Sequence, residues 1–131
     1  MKLLLDVNVL LALAYQDHTD HDRVSLWYAA LPREGVTLAT SSICELGFVR
    51  VSVQVGLEAS VPAAADTLNG LFASSPIPFM RLSDDLGASD LPAYVKGPKQ
   101  VTAGHLLGLA REHGGQLASL DRGIPGAFPI P

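Results

Sequence analysis

The chain has 131 residues, 48% of them hydrophobic and 17% charged, and a formal net charge of −4. That is enough apolar material for one domain with its own core and too much for a disordered chain. The acidic balance argues against a broad basic nucleic-acid surface while leaving room for a local patch, and the single cysteine, Cys44, excludes an internal disulfide and a cysteine-rich zinc site.

Residues 2–5, KLLL, read as a short buried strand, and after Asp6 the stretch VNVLLALAY reads as a helix. This apolar N-terminus does not read as a signal peptide, because Asp6 and Asn8 interrupt it, only Lys2 precedes it and no cleavage site follows. No apolar run reaches the roughly 20 residues needed to span a bilayer, so a cytoplasmic protein that does not enter a membrane is expected. HTDHDRVSLWYAALPREG predicts a second helix, with Thr19 or Asp20 as cap, Val24, Trp27, Tyr28 and Leu31 on one face and Pro32 at the end. VTLAT is a second strand. Ser41 or Ser42 then caps ICELGFVRVSVQVG, a helix rich in β-branched residues that must rely on packing.

Val61-Pro62 opens a further helix, PAAADTLNGLFAS, and IPFMRL is a third strand. Residues 83–98 read as a loop or partly helical connection. KQVTAGHLLGLAREHGG is a helix capped by Thr102 and closed by Gly114 and Gly115. GQLASLD is a fourth strand ending in an acid, and RGIPGAFPIP is irregular with a short edge strand. The alternation predicts an α/β fold, one domain over residues 1–131, with a mostly parallel sheet of four to five strands covered on both faces.

In such folds the site lies at the carboxyl ends of the strands. Asp6 and Asp121 are the first candidates, since each is placed after an apolar strand. Two carboxylates converging there suit a hard cation such as Mg²⁺ or Mn²⁺. Each also has a plainer reading: Asp6 as the cap of its helix, Asp121 as the opening of the turn DRG. Glu45, almost the only charge in SSICELGFVRV, begins the third helix at the same edge, and a solvated helix position is its alternative. His18 and His21 lack further zinc ligands and read as a loop entering a helix. His105 is either a phosphate contact or a hydrogen-bonded structural histidine. Trp27 and Tyr28 read as core or interface anchors. Leu46, Phe48, Val49, Val51 and Val53 exceed what one helix face buries and, with helix 62–74, offer a docking surface.

LLLDVNVLLAL, SSICELGFVRV, KQVTAGHLLGLAREHGG and LASLDRG, in this order over essentially the whole chain, resemble the PIN-domain ribonucleases, and among them the VapC-type toxins of type II toxin–antitoxin pairs. The resemblance implies a three-layer α/β/α sandwich and an acidic cluster binding Mg²⁺ or Mn²⁺. It also implies metal-dependent endonucleolytic cleavage of RNA, a homodimer, and a VapB-like antitoxin that wraps the toxin in a hetero-oligomer. By position, the first acid is Asp6, the second Glu45 and the fourth Asp121, with Asn8 and Ser119 at supporting polar positions and Thr102 beside them. The third acid belongs directly after Thr102, in a VTDAHL-like stretch, and here that residue is Ala103.

A missing carboxylate lowers both charge complementarity and ligand orientation, so weak metal binding and slow or absent cleavage are expected. Asp84, Asp85 or Asp90 could supply another acid. Arg50, Lys99 and Arg122, with Lys96 and Arg111, are the cations that would hold an RNA backbone if they cluster. The competing reading is a non-catalytic PIN-like module that binds RNA or an antitoxin. A phosphoacceptor receiver domain fits worse, since neither VTLATS nor IPFMRLS supplies an acceptor aspartate and no lysine follows QLASLD.

Overall fold

Leu3, Leu4 and Leu5 are at most 1% exposed. A strand buried on both faces, β1 (Lys2–Leu5), is what a central parallel strand requires. The computed structural model describes all 131 residues. In it β1 pairs in parallel with β2 (Thr37–Thr40) on one side and β4 (Gln116–Ser119) on the other. β3 (Phe79–Arg81) and β5 (Phe128–Pro129) complete an all-parallel sheet of order β3-β2-β1-β4-β5. The helices are α1 (Val7–Ala14), α2 (His21–Ala30), α3 (Ser42–Gln54), α4 (Val61–Ser74) and α5 (Val101–Glu112).

The chain steps from β1 to β2 to β3 in one direction and then returns across the sheet to β4. Right-handed crossovers therefore place α1 to α4 on one face and α5 on the other. The contacts agree: α1 touches α2, α3 and α4, whereas α5 lies on β1 and β4. The expected α/β sandwich is present, with both faces covered. No helix is long and apolar enough to cross a membrane.

Local chemistry sets the boundaries. Ser41 rather than Ser42 caps α3, its hydroxyl accepting the Cys44 N–H at 3.3 Å. Ser60 caps α4 in the same way, one residue ahead of Val61-Pro62. Asp20 stands at the N-cap of α2 but makes no side-chain cap bond. The two histidines hold that turn instead: His18 Nδ1 accepts the Asp20 N–H at 3.0 Å, and His21 Nδ1 donates to the Ala12 carbonyl at 2.6 Å. Val24 and Trp27 are the buried residues of α2, while Tyr28 is half-buried and bonds Ser75. On α3, Phe48 is fully buried against the Tyr15 ring, and Val49, Val51 and Val53 are half-buried. The apolar surplus of that helix is thus Ile43 and Leu46, with Val55 just beyond it.

Two expectations need correction. Thr102 is not the N-cap of α5. A 3₁₀ turn at Pro98–Gln100 runs directly into the helix, and the Gln100 side chain reaches back to accept the N–H groups of Lys96 and Gly97. The helix therefore starts two residues early, and Thr102 lies inside its first turn. Nor does Asp121 directly end a strand. β4 stops at Ser119, whose hydroxyl accepts the Asp121 N–H and turns the chain there. The tail after that turn is held by arginines: Arg23 donates to the carbonyls of Ile130 and Pro131, and Arg122 to that of Ile130.

The close of α5 depends on two glycines with different tasks. Gly114 adopts φ +73°, the left-handed conformation that ends a helix. Gly115 passes so close to β1 that an added Cβ would lie 2.7 Å from the Lys2 carbonyl oxygen. Backbone cannot yield as a side chain can, so Gly115→Ala is expected to destabilise the fold by about 1–3 kcal/mol, read as a lower midpoint in urea denaturation.

Candidate active site

Asp6 sits where β1 ends and α1 begins, and it serves both. Its Oδ1 accepts the Val7 N–H at 2.8 Å, the cap of the helix, and its Oδ2 accepts the Ser119 hydroxyl at 2.8 Å. The same Ser119 oxygen accepts the Asp121 N–H at 3.0 Å. One buried hydroxyl thus links the ends of two neighbouring strands and brings the two aspartates together. Asp121 in turn engages one oxygen, Oδ1, with the Gly123 N–H at 2.8 Å, which is also the turn its sequence predicts.

Burial pushes the Asp6 carboxyl above its usual range; the bonds from Ser119 and Val7 oppose that, and the nearby Asp121 carboxylate adds to it. Two mutually repelling acids, one of them desolvated, make a site whose ionised form gains from a cation. The donors present are carboxylate oxygens, the hard ligands that Mg²⁺ and Mn²⁺ prefer, and two carboxylates with retained water suffice for such ions. The donor set fits a hard divalent cation. Cys44 does not join it: burial, with the charge of Asp6, pushes its thiol up to about 12 and keeps it protonated.

Glu45 does not complete a three-ligand group with the two aspartates. It lies in the first turn of α3, half-buried, with Oε2 3.9 Å from Nε of Arg81, whose Nη2 donates to Ser42 Oγ at 2.7 Å. Arg81 is the residue the sequence reading missed. Its signal is its position: it closes β3 at the same edge of the sheet.

The other candidates scatter. Asn8 is exposed and lines a hollow of about 430 Å³ with Asp121, His18 and Thr19. Thr102 and Arg50 line another, of about 290 Å³, with Val7, Ile43, Leu46 and Gly47. Lys99 is exposed on the 3₁₀ turn. Arg122 and Arg111 are occupied by the carbonyls of Ile130 and Pro125. His105 Nε2 meets Asp84 Oδ2 at 2.5 Å, both about 16% exposed, so that acid is committed to a histidine. Asp90 accepts the Gly87 N–H. Ala103 is half-buried against the core and brings no carboxylate. Gly104, next to it, is wholly buried, and a Cβ there would lie 2.3 Å from Val95 Cγ2. The plain corner of α5 is a seat for the loop 92–95.

No family model matches the chain. Its curated relatives do. The chain is 40% identical to ribonuclease VapC38 of Mycobacterium tuberculosis over 124 residues, covering 92% of this chain and 86% of the relative. It is 36% identical to ribonuclease VapC29 of the same organism, covering 95% and 89%. The chain belongs to the VapC family. The solved structures agree on the fold: M. tuberculosis VapC20, described as a sarcin–ricin loop cleaving toxin, superposes with a TM-score of 0.67 at 14% identity, covering 98% of this chain and 99% of that one. VapBC2 from Rickettsia felis, bound to a promoter DNA fragment, gives 0.57 at 16% identity, covering 98% and 97%.

The raised Asp6 pKa has a signed consequence. The folded state holds that proton more tightly than the unfolded chain, so this group favours folding at low pH and the contribution is lost as pH rises through its folded pKa. Asp6→Asn keeps the cap oxygen and removes the buried charge. Without added metal it is expected to melt above the parent chain at neutral pH, with the gain shrinking as pH falls through the folded pKa of Asp6 and gone below about pH 4, as followed by thermal denaturation across pH.

Proposed function

We propose that this chain is the toxin of a toxin–antitoxin pair, a divalent-metal-dependent endoribonuclease weakened by the alanine at position 103. The observation that supports the reading is the pairing of Asp6 and Asp121 through the buried Ser119 hydroxyl, at the carboxyl edge of a VapC-family sheet. Asp6 and Asp121 would hold Mg²⁺ or Mn²⁺, with Glu45 entering if it leaves Arg81 and Asn8 bordering the site. Such a cation supplies Lewis-acid polarisation of the phosphate and an activated water.

The chain's own groups do the rest. The Val7 N–H and the Ser119 hydroxyl fix both oxygens of Asp6, so its orientation is set before any ligand arrives. Arg81, 62% exposed at the side chain, and Arg50, beside the hollow at Thr102, are the cations that would meet phosphates of the RNA backbone, Arg81 by leaving Glu45 and Ser42 and Arg50 by leaving Gln54. The exposed Leu46, Val55 and Val61 are the apolar side chains we assign to contact with a second copy of the chain or with the antitoxin.

Ala103 and the Glu45–Arg81 contact favour a second reading, a VapC-like module that binds RNA or antitoxin without cleaving. One experiment separates the two. Ala103→Asp is expected to raise Mn²⁺-dependent cleavage of single-stranded RNA by at least about tenfold, the scale of one metal ligand or its support, and to arrest growth when expressed without an antitoxin. Absence of cleavage in both proteins at saturating Mn²⁺ would sink the nuclease reading and leave the binding module.

A further inference from the structure

The chain has three tyrosines. Two have partners for their hydroxyls: Tyr15 donates to Glu58 at 2.9 Å, and Tyr28 bonds Ser75. The third, Tyr94, keeps its ring partly exposed but buries its hydroxyl completely, with no hydrogen-bond partner. A buried, unpaired donor is unfavourable and rare in native proteins, and it calls for a partner that arrives.

Its location names that partner. The loop 92–95 is seated on the first turn of α5 at Gly104, and an ideal Cβ on that glycine would lie 3.6 Å from the Tyr94 hydroxyl and 3.7 Å from Pro92 Cδ. The phenol therefore lies beside the turn that carries Ala103, and the contact that needs a glycine is the neighbouring one, with Val95 Cγ2. Burial pushes the phenol up; the carboxylates that add to this are those of the acidic site, Asp121 first and Asp6 second, and Arg111 opposes them. A protonated phenol beside carboxylates is a donor facing acceptors. Both oxygens of Asp6 already accept bonds, from Val7 and Ser119. Asp121 has committed only Oδ1, and it is exposed and able to turn.

We propose that Tyr94 is a positioning residue of the acidic site: its buried hydroxyl donates to the second oxygen of Asp121 and orients that carboxylate for a divalent cation. The inference rests on the metal-binding reading above. Tyr94 adds no charge and does not stand in for the missing acid. It limits the freedom of an acid that is present.

The test is a Mn²⁺ titration by calorimetry on the full chain and on Ala103→Asp, each with and without Tyr94→Phe, alongside melting temperatures in the absence of metal. Tyr94→Phe is expected to weaken Mn²⁺ binding about tenfold in both backgrounds, as loss of a ligand's hydrogen-bond partner does. The metal-free melting temperature should stay level or rise, because the variant deletes an unpaired polar group. A tyrosine of the ordinary core would behave the other way, losing stability and leaving Mn²⁺ affinity alone. Equal affinity with and without the phenol overturns the role of Tyr94 while the metal site stands. If neither parent chain binds Mn²⁺, the metal site itself is what fails, and the role of Tyr94 falls with it.

Discussion

The Ser119 hydroxyl is the point through which the site and the fold are one structure. It sits at the end of β4, 1% exposed, and it both donates to Asp6 and accepts from Asp121. That pair of hydrogen bonds is possible because β1 and β4 are parallel neighbours in a register that sets Leu5 opposite Ala118, so the residues that follow each strand come level. Two acids that would repel each other are thereby kept at one edge by a neutral group. The energy for this comes from the sheet beneath, where Leu3, Leu4, Leu5, Leu117 and Ala118 are all buried.

Much of this was legible in the sequence. KLLL and the strands after it carry the uninterrupted apolar runs of a buried parallel sheet, and the helices between them carry serine caps and glycine stops. The boundaries that went astray did so for tertiary or local polar reasons. Thr102 is a good cap by type, but a glutamine two residues earlier already satisfied the preceding N–H groups, and the helix took the earlier start. The serine that ends β4 pulled Asp121 out of the strand. Asp6 reads as either cap or site acid, and the structure shows the cap through one oxygen while the other meets Ser119, so capping does not exclude the second reading.

The parts of the site that were not legible are those built from contacts distant in sequence. Nothing in IPFMRL says that its arginine will reach Glu45 and Ser42, since that needs β3 to lie beside β2. Nothing near Asp84 says that it will be paired with His105, 21 residues away. The Ala103-Gly104 corner shows the same limit from the other side. As a string it is a weak helix start lacking an acid. In the fold it is a shallow seat, and its smallness is what lets a loop approach within van der Waals range of the helix backbone.

The arginine clasp on the tail has a consequence for the acid at the start of that segment. Asp121 begins a stretch that ends at Ile130, and Arg23 and Arg122 both bind the Ile130 carbonyl, while Ile130 N–H bonds Ser119. The ten residues form a ring closed on itself at the very serine that anchors Asp121. Chain entropy that an open loop would surrender on taking up a ligand has already been surrendered on folding. The acid is presented on a tethered hoop rather than a free end.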